Sequence, residues 1–346
     1  MGALIGWFCH YTPVEIITAL GFIPYRLLGR EGNTPRADTY LVGNLCPYVK
    51  SCLETAIRQE LPALAGTVIA RSCNAMIHLA STWPRYGGQG VTLVLDVPRR
   101  LDEEAVLYYS QNLRRLAKEL ARLGERQLED SLLWQAINAW EEQRSCWREF
   151  LAARARGEIC LSGSDVMAWL DRWQTCATAA GRDKGQAGIA AIEQRSRPDF
   201  RGRPRLMLAG SILPAELPAM VEEWGGWSVF EDACNGRRFL LAEVARETGD
   251  PYLHLAQLYL GGPPCPRMVA DQTRRQQYWA GVVDDYQIDG VIYHVMKFCD
   301  AAIYDFRAMK DFCDRRGLPL LRLDGDYTGG GRGQWQTRVE AFLEMF

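Results

Sequence analysis

A chain of 346 residues, 48% hydrophobic and 24% charged, is long enough for two folded domains and too apolar for a disordered polymer. Forty basic against 42 acidic residues leave a formal charge of −2, which excludes the basic surface that nucleic acid or an anionic membrane demands. No run reaches the roughly 18 apolar residues that span a bilayer. The start, Met1-Gly2-Ala3-Leu4-Ile5-Gly6-Trp7, lacks both a secretory signal's basic residues and a myristoylation site's Ser or Thr at position 6, so the cytoplasm is the expected location.

Residues 3–96 read as alternating strands and helices. Leu4–Cys9 is a short apolar run, followed by a helix opened by Thr12 and Pro13, with Glu15 in its first turn and Gly21 closing it. An extended Ile23–Leu28, the Gly66–Ser72 run ending at Cys73, and Val91–Asp96 follow. Continuous apolar runs separated by helical stretches predict a parallel sheet buried on both faces. From about 101 to 200 the pattern is helical. Asp102 is placed to cap a helix carrying Val106, Tyr109, Leu113, Leu116 and Leu120, and Leu132, Leu133, Ala136, Ile137 and Trp140 continue the period. Ser164 is read as the next cap, and the polar stretch 181–203 as a linker.

Residues 203–346 repeat the first order. Arg205–Ala209, Trp227–Phe230, Asp289–Tyr293 and Leu318–Asp324 read as strands, and a helix opens over Ser211–Glu216 and ends near Gly225-Gly226. The starts Pro13-x-Glu15 and Pro214-x-Glu216 correspond, as do Gly66-Thr67-Val68-Ile69 with Cys73 and Gly290-Val291-Ile292 with Cys299. The expected architecture is two doubly wound α/β domains, 1–100 and 201–346, with a helical region over 101–200.

Eleven cysteines in a reducing compartment are not a disulfide framework, and no two stand in a CxxC spacing, which argues against zinc ribbons and thioredoxin-like sites. Taken singly, each is an ordinary small buried hydrophobe. Their placement is less ordinary. Ligands of open α/β sheets sit beyond the carboxyl ends of the strands, and Cys9, Cys73, Cys234 and Cys299 fall at or just past such ends. Cys46 precedes Pro47, and Cys265 lies between Pro264 and Pro266, in loops that proline stiffens. Several thiolates gathered in one crevice repel unless a soft metal neutralises them, which favours an iron–sulfur centre. Cys52, Cys146, Cys160, Cys176 and Cys313 lie in helical context and are read as packing residues.

His10 beside Cys9 suggests an activated nucleophile, but neighbours in an extended strand point to opposite faces, so the two are not expected to meet. His294 is either a proton donor or a core histidine; His78 and His254 receive no role. There is no P-loop and no G-x-G-x-x-G after the first strand, so neither ATP nor a nicotinamide site is expected. Gly329–Gly333 precedes the last helix and is either an anion cradle or a surface loop.

With these residues in view, the chain resembles the D-component family of 2-hydroxyacyl-CoA dehydratases and benzoyl-CoA reductases over nearly its whole length. The resemblance rests on Cys9-His10-Tyr11-Thr12-Pro13-Val14-Glu15, Leu45-Cys46-Pro47-Tyr48, Ser72-Cys73-Asn74, Pro263-Pro264-Cys265-Pro266-Arg267, Asp289-Gly290-Val291-Ile292, Lys297-Phe298-Cys299-Asp300 and the terminal Gly333-Gln334-x-x-Thr337-Arg338. It implies that residues matching Cys46, Cys73 and Cys299 hold one [4Fe–4S] cluster with an open iron. The further Cys9, Cys234 and Cys265 look like the double-cubane branch, in which two cubanes share a bridging sulfide as [8Fe–9S], three cysteines to each. That branch implies a homodimer reducing a small molecule with electrons from a separate ATP-hydrolysing [4Fe–4S] protein, the cluster lying between the two domains. The alternative is one subunit of a heterodimeric dehydratase acting on an acyl-CoA thioester. A bare electron carrier is the non-enzymatic reading.

Overall fold

Apolar runs without alternation become strands covered on both faces, and here they form two four-stranded parallel sheets. The computed structural model describes residues 2–88, 90–175, 199–240, 249–268 and 271–346. The first sheet holds β1 (Leu4–Trp7), β2 (Ile23–Arg26), β3 (Leu64–Ala70) and β4 (Val91–Leu95), in the order β2-β1-β3-β4. The second holds β5 (Arg205–Gly210), β6 (Trp227–Asp232), β7 (Gly290–Met296) and β8 (Leu320–Gly325), in the order β6-β5-β7-β8. Every neighbouring pair is parallel. Both halves therefore share one flavodoxin-like winding, as the repeated order of elements predicts, with the topological switch point at β1/β3 and at β5/β7. Helices α4 (Glu103–Leu123), α5 (Asp130–Ala155) and α6 (Gly163–Thr175) intervene in the sequence. Among the described residues no helix is long and apolar enough to cross a membrane.

The chain divides into two compact units, one from 1–145, 174–182 and 241–263, the other from 146–173, 183–240 and 264–346. In the first, α4 is capped as expected: the Asp102 carboxylate accepts from the Ala105 amide at 2.8 Å. Val106, Tyr109, Leu113, Leu116 and Leu120 are all buried, and the Tyr109 hydroxyl donates to the Tyr11 carbonyl, pinning the turn after β1. Glu15 in α1 (Val14–Ala19) is wholly buried. It accepts from Arg144 of α5 at 2.6 Å and from the hydroxyl of Tyr259, on α8 (Pro251–Gly261), at 2.7 Å. Arg144 also donates to that hydroxyl at 3.1 Å. Breaking a buried pair strands the remaining charge, so Arg144→Met is expected to cost about 3–5 kcal/mol. Urea denaturation measures it, and Glu15→Gln with Arg144→Met together should recover part of the loss.

In the second unit both sheet faces are covered. Met207, Val229, Val291 and Tyr293 pack with Trp279, Met309 and Phe312, while Leu206, Leu208, Ile292 and Leu323 pack with Leu217, Val221 and Trp335. These partners come from α7 (Leu217–Glu223), α9 (Gln272–Asp285), α10 (Asp300–Arg316) and α11 (Arg332–Leu343). The cap of α6 is Ser162 and not Ser164: Ser162 Oγ accepts from the Asp165 amide at 3.0 Å, because the turn begins one residue before Gly163. Leu132, expected in the core, is exposed.

Burial pushes the Glu222 carboxyl up to about 7, against hydrogen bonds from the Gly163 amide at 2.7 Å and Ser228 Oγ at 2.9 Å. The folded protein thus keeps a proton that the unfolded chain releases from near its ordinary 4.5. Stability from this group is present at low pH and lost as pH rises through about 7. A Glu222→Gln variant should flatten that loss between pH 5 and 8, read from thermal melts, and a curve parallel to wild type would refute it.

Candidate metal centre

In the first unit β1 stops at Trp7, and Cys9 lies in the turn beyond it, closed by the Thr12 amide on the Cys9 carbonyl at 2.8 Å. The alternation that was to separate Cys9 from His10 therefore does not apply, and the expectation that they do not meet is corrected. Burial pushes the Cys9 thiol up, but interactions with His10, the Ser72 side chain and the Tyr11 amide outweigh it and hold the thiol below its ordinary value. Ser72 immediately precedes Cys73, so this contact joins the loops after β1 and β3, at the switch point. Cys73 is the N-cap residue of α3 (Asn74–Tyr86). Cys46 is the N-cap residue of α2 (Pro47–Ile57), whose Pro47 occupies the first helical position, where no amide is missed.

In the second unit Gly210 ends β5 with φ +143°, and a Cβ there would stand 2.2 Å from the His294 carbonyl oxygen. Only glycine lets β7 approach so closely. The carbonyl of the next residue, Ser211, accepts from the Cys234 amide at 2.7 Å, which ties the loop after β5 to that after β6. The Cys234 and Cys265 thiols are hydrogen-bonded, and Arg238 Nη1 lies 3.6 Å from Cys234 Sγ. That thiol contact, then burial, raises Cys265 well above its ordinary value. Cys299 is the N-cap residue of α10. Before it stands Phe298, exposed, with φ +58°. Left-handed backbone is strained for a bulky side chain, costing roughly 1–3 kcal/mol, and such strain gathers at functional sites.

The remaining residues sort differently from expectation. His294 is fully buried, its Nδ1 2.8 Å from the Ile212 carbonyl and its ring edge-on to Trp335. Burial lowers it to about 4, so it stands neutral in the sheet core, a placement that favours packing over proton donation. Cys52 and Cys313 are buried in helices, and burial pushes each thiol up to about 12. Cys146 is exposed, and Cys160 lies part-exposed in a loop after α5, so the packing expectation fails for these two. Cys176 and residues 181–198 of the expected linker lie outside the described residues. In Gly329–Gly333, Asp326 already accepts from the Thr328 amide at 3.2 Å, and Arg332 is paired with Glu216 at 3.0 Å. Sequence reasoning passed over Arg238, Asp232 and Ser72. The only available signal was charge clustered around Cys234 at the end of an apolar strand.

Among the described residues no three His, Cys, Asp or Glu side chains converge as donors to one metal ion. A cubane asks for something else, thiolates bound to separate irons. Cys46, Cys73 and Cys299 each sit where a helix begins, and the positive helix end favours thiolate over thiol, the form such a group binds.

A family profile described as 2-hydroxyglutaryl-CoA dehydratase, D-component, matches residues 9–346. The candidate dehydratase subunit YjiM of Escherichia coli (strain K12) is 27% identical over 99% of this chain and 91% of its own length. The (R)-phenyllactyl-CoA dehydratase beta subunit of Clostridium sporogenes is 24% identical, over 98% and 91%. One of the subunits of benzoyl-CoA reductase from Thauera aromatica is 23% identical, over 92% and 84%. Matched from its first candidate ligand to its last residue, the chain belongs to the 2-hydroxyglutaryl-CoA dehydratase D-component family.

Proposed function

We propose that the chain is one subunit of a 2-hydroxyacyl-CoA dehydratase or related enzyme acting on an acyl-CoA thioester, with Cys46, Cys73 and Cys299 as ligands of a [4Fe–4S] cluster. One observation carries this reading: each of the three is the N-cap residue of a helix, and two of them follow strand ends. The relatives' names add weight, since they are subunits of dehydratases and of a reductase of CoA esters. When bound, an iron with an open position supplies a Lewis acid for a substrate oxygen. The chain's own part is to hold three thiolates deprotonated against the positive ends of α2, α3 and α10. Pro47 and the strained Phe298 fix the approach of two of them. A second subunit and an external ATP-hydrolysing activator with its own [4Fe–4S] cluster complete the enzyme, in the cytoplasm.

Anaerobic preparation should give about four irons per chain, and dehydration of a 2-hydroxyacyl-CoA that needs activator, ATP and reductant. Less than one iron per chain after reconstitution, or turnover without ATP, would overturn the reading. A second reading has its own support in the contact between Cys234 and Cys265. It makes Cys9, Cys234 and Cys265 three further ligands, giving an [8Fe–9S] double cubane in a homodimeric reductase of a small molecule, with about eight irons per chain.

A further inference from the structure

Arg238 follows β6 and is 0% exposed. A buried guanidinium must be neutralised and hydrogen-bonded, and Asp232 does both: its carboxylate accepts from Nε at 2.7 Å and its carbonyl from Nη2 at 2.8 Å. Two edges of the fork are thus fixed, which leaves Nη1 aimed at Cys234 Sγ, 3.6 Å away. Asp232 is itself braced by Trp279 Nε1 at 3.3 Å and by Arg275 at 3.4 Å. Arg275 in turn is paired with Asp305 and donates to the carbonyl of Pro264, the residue before Cys265. One buried network therefore reaches the backbone beside one thiol and the sulfur of the other. Plain core packing at the end of β6 would need none of these four charges, which cost desolvation.

We infer that Arg238, oriented by Asp232, is a positioning residue for the Cys234 thiolate and raises the reduction potential of the iron bound to it. The inference rests on the double-cubane reading. Its physical content is simple: an N–H donor and a fixed cation beside a ligand sulfur favour the more negative, reduced state of a cluster. Arg275 bonds Asp305, Asp232 and the Pro264 carbonyl and serves as the brace.

The test compares Arg238→Lys with wild type by iron analysis and by a redox titration followed by low-temperature magnetic resonance. Lysine keeps a charge but loses the fork that holds it. The expected result is wild-type iron with the lowest one-electron step made harder by about tenfold in its equilibrium, about 59 mV. Should Arg238→Lys fail to fold, the neutral pair Arg238→Gln with Asp232→Asn removes both buried charges, and a larger shift of the same sign is expected. Asp305→Asn loosens the network away from the sulfurs and should lower thermal stability while leaving the potential in place. An unmoved potential in Arg238→Lys with wild-type iron would overturn the inference and leave the cluster reading standing. An equal shift in Asp305→Asn would overturn it too. Wild-type iron and spectra in Cys234→Ser and Cys265→Ser would overturn both together, so the two failures are told apart by the cysteine variants.

Discussion

Iron content in Cys46→Ser, Cys73→Ser and Cys299→Ser is expected to fall to less than half of wild type, with turnover lower by more than ~100-fold. A serine hydroxyl stays protonated where a thiolate binds, and a hard oxygen is a poor partner for a soft cluster. The helix start cannot substitute for the sulfur, because it stabilises an anion and serine does not supply one. Two control variants separate this from general damage. Cys52→Ser alters a buried packing position in α2, and Cys146→Ser an exposed one in α5; both should keep wild-type iron. Metal analysis and the cluster's absorption band, recorded without oxygen, decide the matter. Loss of iron in Cys52→Ser with retention in Cys73→Ser would remove the assignment.

The sheets were legible because parallel strands covered on both faces leave a plain mark, an apolar run without alternation. Trp227–Asp232 and Gly290–Met296 are buried at every position, and helix α4 was legible through its cap and its period. Helix α5 was legible too, with Leu133, Ala136, Ile137 and Trp140 buried as the period predicts, but the charges it buries were not. It buries Arg144 beside Glu15 and Arg154 beside Glu231, while exposing Leu132 and Cys146. A charge buried against a partner 129 residues away carries no local signal. Glu15 shows the same limit: it reads as an ordinary first-turn acid and is in fact the hub of a buried network. The Cys9 and His10 contact was missed by a boundary of two residues, since alternation ends where β1 ends. Spacing along the chain placed the cysteines at strand ends. It could not say that three of them begin helices, because an N-cap is set by backbone dihedrals, and cysteine is not among the side chains that announce one.

Whether the chain holds one cubane or two turns on Cys9, Cys234 and Cys265. Their placements differ from those of the first three, since none is an N-cap residue of a described α-helix. Something else favours thiolate at Cys9 and Cys234, and the reverse holds at Cys265. Cys9 is held below its ordinary value by His10 and Ser72, although burial opposes this. Cys234 faces Arg238, while the contact with Cys234 and burial keep the Cys265 thiol protonated. Two thiols in contact beside a buried guanidinium are poor packing: both groups are polarisable and partly charged, and a valine pair would fill the space without the desolvation of Arg238. A metal that replaces their protons removes the conflict. On the double-cubane reading the expected result is about eight irons per wild-type chain. Cys265→Ser should then lose more than one iron and alter the low-temperature magnetic spectrum, and Cys9→Ser should do the same from the other unit. On the single-cubane reading wild type holds about four irons, and all three serine variants keep them. Cys234→Ser weighs most, because it also removes the acceptor of Arg238. A loss of stability with iron unchanged would mark the pair as structural, and the dehydratase-type single cluster would then be the enzyme's centre.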